Sequence, residues 1–172
     1  SSEADHALRL LNAAGLSPAK LSYPVYYDLE ETRLESTGNR ALLANIAKTF
    51  CNKISSAGYT PGVYANANWF TNYLTDSCFN SWSKWVASYP YKGSENAKTS
   101  YSGAHDMWQC MSTGRVNGIN TAVDINFSYK SFLTVPDDAL VTYSTHVQSI
   151  GWQPAKYDGA ISGTPNQAKR LE

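Results

Sequence analysis

The sequence predicts an α/β protein of parallel βα units that closes in plain strands, followed by a short β-rich tail. Three observations carry that expectation. Helix-period and strand-period segments alternate from the start of the chain to about Ser88. After His105 the segments are strand-like, with Gly114 and Gly118 between them and no room for a long helix. Beyond the polar stretch Thr134-Val135-Pro136-Asp137-Asp138-Ala139, Gly and Trp punctuate a β pattern to the end of the chain.

The elements follow in order. Glu3 to Ala14 places Ala4, Ala7, Leu8, Leu11 and Ala14 on one helical face, with Gly15 as a stop and Pro18 beyond it. Pro24–Leu29 reads as a strand. A stronger helix spans Asn39 to Ala57, with Leu42, Leu43, Ile46, Ala47, Phe50 and Ile54 along its stripe and Cys51 on the apolar side as a buried thiol. Gly58 can end that helix, and Pro61 precedes a strand at Val63–Ala65. A short helix fits Ala67–Leu74, and Lys84–Ser88 reads as the next strand. Met107–Met111 and Ala122–Phe127 close the series, antiparallel or irregular. The form expected is a βα barrel that ends in strands.

Composition bounds the function. The 172 residues suffice for one ordinary domain and a small appendage. Hydrophobic content of 42 % against 16 % charged marks a globular chain. Lys and Arg total 14 against 14 Asp and Glu, so no basic excess points to nucleic acid. Twelve Tyr and five Trp suit stacking on sugars, although cores use the same residues. Sparse charge among many Tyr, Asn, Ser and Thr favours an extracellular protein. No run is long and apolar enough to span a membrane. Cys51, Cys78 and Cys110 form an odd set without metal spacing, in which one disulfide is open. His6, His105 and His146 show no ligand spacing, so neither metal nor cofactor is expected.

Pro24-Val25-Tyr26-Tyr27-Asp28-Leu29-Glu30 holds the most chemistry. Strand alternation turns Asp28 and Glu30 to one face and Leu29 to the other, with the acids about 7 Å apart along the strand. Neighbouring carboxyls raise each other's pKa, which lets one stay protonated while the other ionises. On its own an Asp-x-Glu fits a solvated loop or a helix cap at least as well. The other strand ends weigh against that. They carry Tyr64 and Asn66, Ser88 and Tyr89, Gln109, then Asp124 and Asn126. All are polar, acids stand at the first and last, and working residues of βα barrels sit at such ends. The pattern favours a glycosidase.

The same segments carry a resemblance. The 24–30 stretch, Gly62-Val63-Tyr64-Ala65-Asn66, Trp85-Val86-Ala87-Ser88-Tyr89, Trp108-Gln109, and Gly118-Ile119 with Val123-Asp124-Ile125-Asn126 stand in the order and spacing of a known family. From about Ser1 to Phe132 the chain resembles the family 25 glycoside hydrolases, the bacterial and phage lysozymes that act as N-acetylmuramidases. The resemblance implies an incomplete TIM-like βα barrel, the last five of eight strands. It implies peptidoglycan as substrate, cut between N-acetylmuramic acid and N-acetylglucosamine. Glu30 would be the general acid, Asp28 its assistant, and Asp124 would complete the acidic cluster. Tyr64, Tyr89, Gln109 and Asn66 would contact the sugar, with a packed barrel aromatic equally open for each tyrosine. Secretion to a Gram-positive cell wall would follow.

One departure stands out. The family opens on a strand carrying Gly-Ile-Asp-Val-Ser, which is not found here, so the isolated chain is expected to hydrolyse walls poorly or not at all. Carboxyls about 5 Å apart favour a covalent nucleophile, and about 6.5–9.5 Å leaves room for water. Attack by the substrate's own 2-acetamido group is a third route. A chitinase-like enzyme would carry a further aspartate where Tyr26 stands, and a non-catalytic wall-binding protein is the rival outside enzymes.

Residues 1–133 are thus read as the partial barrel, 134–140 as a linker and 141–172 as a second module. His146-Val147-Gln148, Ile150-Gly151-Trp152-Gln153, Asp158-Gly159, Ser162-Gly163-Thr164 and Lys169-Arg170-Leu171-Glu172 resemble a partial clostridial hydrophobic repeat. It would attach the protein to wall, carbohydrate or protein ligands. His146 reads as structural or binding, and Trp152 equally as a small core or a sugar platform.

Overall fold

The computed structural model describes residues 2–90, 98–132, 142–144, 146–147, 151–152 and 156–157. The chain divides into two compact units, Ser1–Phe132 and Leu133–Glu172.

In the first unit α1 (Ser2–Ala13) leads to β1 (Val25–Asp28), α2 (Thr32–Ser36), α3 (Arg40–Ser56) and β2 (Pro61–Asn66). Then come α4 (Ala67–Asn72), a 3₁₀ turn (Ser77–Ser81), β3 (Ser83–Ala87), β4 (Met107–Gly114) and β5 (Val123–Ser128). The strands form one five-stranded sheet in sequence order, β1 to β5. β1 to β4 run parallel and β5 runs antiparallel to β4. Residues 115–122 are too few for a crossover, so the chain can only turn back. The expected α/β class and antiparallel close are what the chain adopts, as a five-strand portion of a TIM-like fold.

α3 is the main cover of the sheet. The Asn39 side chain accepts from the Leu42 amide at 3.0 Å to cap its start, and Gly58 takes a left-handed φ of +87° just past its end. The helix buries Leu43, Ala44, Ala47, Phe50, Cys51 and Ile54. They join Leu29, Val63, Ala65 and Val86 of the sheet in one core. The expected stripe is corrected at three places, where Leu42 is 39 % exposed, Ile46 is half-buried and Ala44 takes the inner face, while Cys51 is buried as expected. Ala14, expected on the apolar face of the first helix, lies beyond α1 and is exposed.

The two faces of β1 differ. Val25 and Tyr27 turn toward the helix core, where the Tyr27 ring stacks on Phe50 with centroids 4.3 Å apart. Tyr26 and Asp28 take the opposite face. A Cβ on Gly62 would lie 2.5 Å from the Tyr26 ring, so only glycine lets that ring cross β2. The Tyr26 hydroxyl then bonds the Ser83 hydroxyl at 2.9 Å.

In the second unit β6 (Thr142–Tyr143) pairs antiparallel with β9 (Lys156–Tyr157), and β7 (His146–Val147) with β8 (Gly151–Trp152). Trp152 is 73 % exposed, which decides against its reading as core. The stretches from Asp158 onward and the 134–140 linker lie outside the described residues. Among the described residues no helix is long and apolar enough to cross a membrane.

Candidate active site

Register, not sequence proximity, assembles the site. Asp28 pairs with Tyr64, Tyr64 with Trp85, and Trp85 with Met107. One row along, Asn66 pairs with Ala87, Ala87 with Gln109, and Gln109 with Asn126. These residues therefore share the face turned away from α3. Asp124 joins them for a reason that strand ends read in order do not give. β5 is antiparallel, so its beginning lies beside the C-terminal ends of the parallel strands.

At the end of β1, Leu29 is 1 % exposed and its amide donates to the Tyr64 carbonyl at 2.9 Å. Asp28 and Glu30, on either side, are exposed, as strand alternation requires. The helix-cap role falls instead to Glu31, whose side chain accepts from the Arg33 amide at the start of α2. Neither the Asp28 nor the Glu30 carboxyl forms a hydrogen bond or ion pair among the described residues. Partial burial raises the Asp28 carboxyl above its usual range. Burial, and then the charge of Asp28, raise Glu30. Both effects disfavour the ionised form, so Glu30 holds its proton to higher pH than a free glutamate.

Gln109, on β4, is 4 % exposed. Its Oε1 accepts from the Tyr64 hydroxyl at 2.6 Å and from the Tyr89 hydroxyl at 3.1 Å. Burial lifts the Tyr64 phenol well above its ordinary value, with Glu30, Tyr89 and Asp28 adding to the rise. Burial also raises Tyr89; its bond with Tyr64 opposes the rise, and Asp124 and Glu30 add to it. Both phenols thus lie within the field of the acids. Tyr89 is 52 % exposed, and Tyr64 packs its edge on Trp85 with centroids 5.1 Å apart.

Asn66 has a structural task that sequence reading did not give it. Its side-chain oxygen accepts from the Trp69 amide at 3.0 Å and caps α4, which narrows any sugar contact to its amide nitrogen. Ser88 is buried and bonds Ser100 at 2.8 Å. Trp85 was missed as a site residue. Its Nε1 donates to Asn126 Oδ1 at 2.9 Å, and its ring stands edge-on to both Tyr26 and Tyr64. Strand parity could have put it on the site face, given the register of β3.

A cleft at the opposite ends of the strands is lined by Thr60, Asn80, Ser83, Lys84, His105 and Asp106, among others. Its polar groups satisfy one another: Ser83 Oγ donates to Asp106 at 2.6 Å and Lys84 Nζ to Asn80 at 3.0 Å. Among the described residues no group of three or more His, Cys, Asp or Glu is placed to hold a metal ion. Cys51, Cys78 and Cys110 are all free thiols.

Comparison with known proteins places this arrangement. A search of curated sequences found no match. Among solved structures, the chain is similar to LytC, a modular autolysin of Streptococcus pneumoniae, at 23 % identity and a TM-score of 0.55, over 72 % of this chain and 29 % of that one. GHIP, a glycosyl hydrolase 25 and virulence factor of the same organism, gives 23 % and 0.53 over 71 % and 51 %. SleM, a spore cortex lytic enzyme of Clostridium perfringens, gives 14 % and 0.57 over 98 % and 62 %. At these identities the likeness is one of fold, and the chain spans less than two thirds of each of those proteins. Residues 146–172 match the family model for the clostridial hydrophobic W repeat. Residues 1–119, more than half of the chain, match the model for glycosyl hydrolases family 25, and the chain belongs to that family.

Proposed function

We propose that the protein is a peptidoglycan hydrolase of the muramidase type, cutting the β-1,4 bond between N-acetylmuramic acid and N-acetylglucosamine. The observation that carries this reading is the pair Asp28 and Glu30, unbonded and flanking the buried Leu29, with both carboxyls raised by burial. A general acid must hold a proton near working pH, and Glu30 is the better placed because Asp28 adds its charge to the effect of burial. Family membership supports the reaction class. LytC has been solved with a synthetic peptidoglycan ligand, which supports the same substrate here.

In this mechanism Glu30 gives its proton to the leaving oxygen as the C1–O bond breaks. The 2-acetamido oxygen of the muramic residue bonds to C1, and ionised Asp28 steadies the positive charge so formed. Water then attacks C1 and gives a proton to Glu30 as the bond from C1 to the acetamido oxygen breaks and the acetamido group is restored. Asp124 adds negative potential from β5, while Tyr64, Tyr89 and Gln109 form the wall against which the sugar lies. Asn66 serves chiefly by fixing the start of α4. The barrel portion at 1–133 acts outside the cell, and the repeat at 141–172, beyond the 134–140 linker, holds it to a wall or surface ligand.

Product chemistry tests the reading better than rate does, because it identifies the bond that is cut. Purified peptidoglycan is digested, reduced with borohydride and analysed by mass spectrometry. Reduced N-acetylmuramic acid ends that disappear with Glu30→Gln are expected. Reduced N-acetylglucosamine ends would make it a glucosaminidase. Wall binding that survives Glu30→Gln, with no products from the wild type, would make it a binding protein.

A further inference from the structure

Gln109 is the most buried polar residue in the site, 4 % exposed, yet its side-chain oxygen faces two hydroxyl groups at once. A carbonyl oxygen accepts and never donates, so the Tyr64 proton is held inside the cluster, with Gln109 Oε1 as its short acceptor at 2.6 Å and the Tyr89 oxygen beside it. The Tyr89 proton points at the same oxygen across 3.1 Å. Each phenol has one proton. With both directed inward, neither is left for the carboxyls of the site, and the phenols turn only lone pairs outward. That matters because a donor aimed at a carboxylate stabilises its ionised form.

We propose that Gln109 is a positioning residue that holds the Tyr64 and Tyr89 protons away from Glu30, so that this carboxyl keeps its own proton for the leaving group. The inference rests on the muramidase reading for its purpose and on the hydrogen-bond geometry for its substance. The titratable groups around Glu30 come from three elements, Asp28 from β1, Tyr64 from β2 and Tyr89 from the segment after β3, while Asp124 of β5 acts on Tyr89. Asp28 lies directly across from Tyr64 in the register and its charge also acts on that phenol. Asp28 raises the neighbouring carboxyl, and phenols whose protons are held by Gln109 leave it unaided. Only a released phenolic proton would act in the opposite sense.

The test follows the Glu30 carboxyl carbon by ¹³C NMR through a pH titration of this chain, which needs no turnover. Gln109→Met keeps the side chain's length and removes the acceptor. It should shift the Glu30 midpoint to lower pH, so that at the wild-type midpoint the ratio of protonated to ionised Glu30 falls severalfold. Adding Tyr64→Phe and Tyr89→Phe to Gln109→Met should return the midpoint, since no phenolic proton is left to donate. An unmoved or raised midpoint in folded Gln109→Met, or a triple variant that fails to restore it, would overturn the proposal. If Gln109→Met does not fold, Tyr64→Phe/Tyr89→Phe with Gln109 intact decides the matter. An unmoved midpoint is expected, and a rise would mean that the phenols already donate to Glu30. Failure of the muramidase reading shows separately, as wall products that persist in Glu30→Gln.

Discussion

The two ends of the sheet hold similar residue types in opposite states. At the N-terminal ends, Tyr26 bonds Ser83, Ser83 donates to Asp106, and Lys84 donates to Asn80. Each polar group there answers another, and the result is structure. At the C-terminal ends, Asp28 and Glu30 answer nothing among the described residues and are pushed up by burial. A fold that pairs its polar groups at one end and leaves two acids open to solvent at the other keeps those acids in a chemically available state. The cleft is therefore the wrong place to look for the chemistry.

Substitutions at the two ends should separate these states. Glu30→Gln is expected to have the largest effect, lowering product formation by about 10²–10⁴-fold, the usual worth of a general acid, as read by reducing ends released from walls. Gly62→Val should destabilise by about 1–3 kcal/mol in urea unfolding, because its new atoms must displace the Tyr26 ring or the Ser83 carbonyl. Ser83→Ala should lower stability by about 1–3 kcal/mol, since it leaves Tyr26 and Asp106 without their shared partner, and the products released should keep the same chemistry. Asn66→Ala should remove about 0.5–2 kcal/mol through the lost cap of α4. Equal losses of product from Ser83→Ala and Glu30→Gln, at equal folded fraction, would erase the distinction between the ends.

Much of this was legible in residue order. Leu29 between Asp28 and Glu30 fixed which side chains face out, and Asn39 and Gly58 marked the limits of α3. The turn-back of β5 followed from the short, glycine-bearing connection. What was hidden depends on register or on very short elements. Trp85 reaches the site face only because it pairs with Tyr64, and no spacing within one strand reveals a cross-strand partner. The five residues of α2 are too few to show a helical period, so Glu31 could not be told from its acidic neighbours as the cap. The Leu42 error is of another kind. Two adjacent leucines fit the stripe almost equally, and packing against the sheet chose Leu43.

The paired response of Glu30→Gln separates an acid held protonated for catalysis from an ordinary surface carboxylate. A carboxyl whose folded pKa is raised favours folding fully below its ordinary value, and stability falls as pH rises from there through the raised value. At neutral pH the wild type therefore bears a penalty that a neutral glutamine avoids. Measured together at pH 7, thermal unfolding and wall products of Glu30→Gln should show a raised Tm with loss of reduced N-acetylmuramic acid ends, and the gain in Tm should vanish below the ordinary glutamate range. A lowered Tm, or products that persist, would contradict the assignment of Glu30 as a strained acid kept for catalysis.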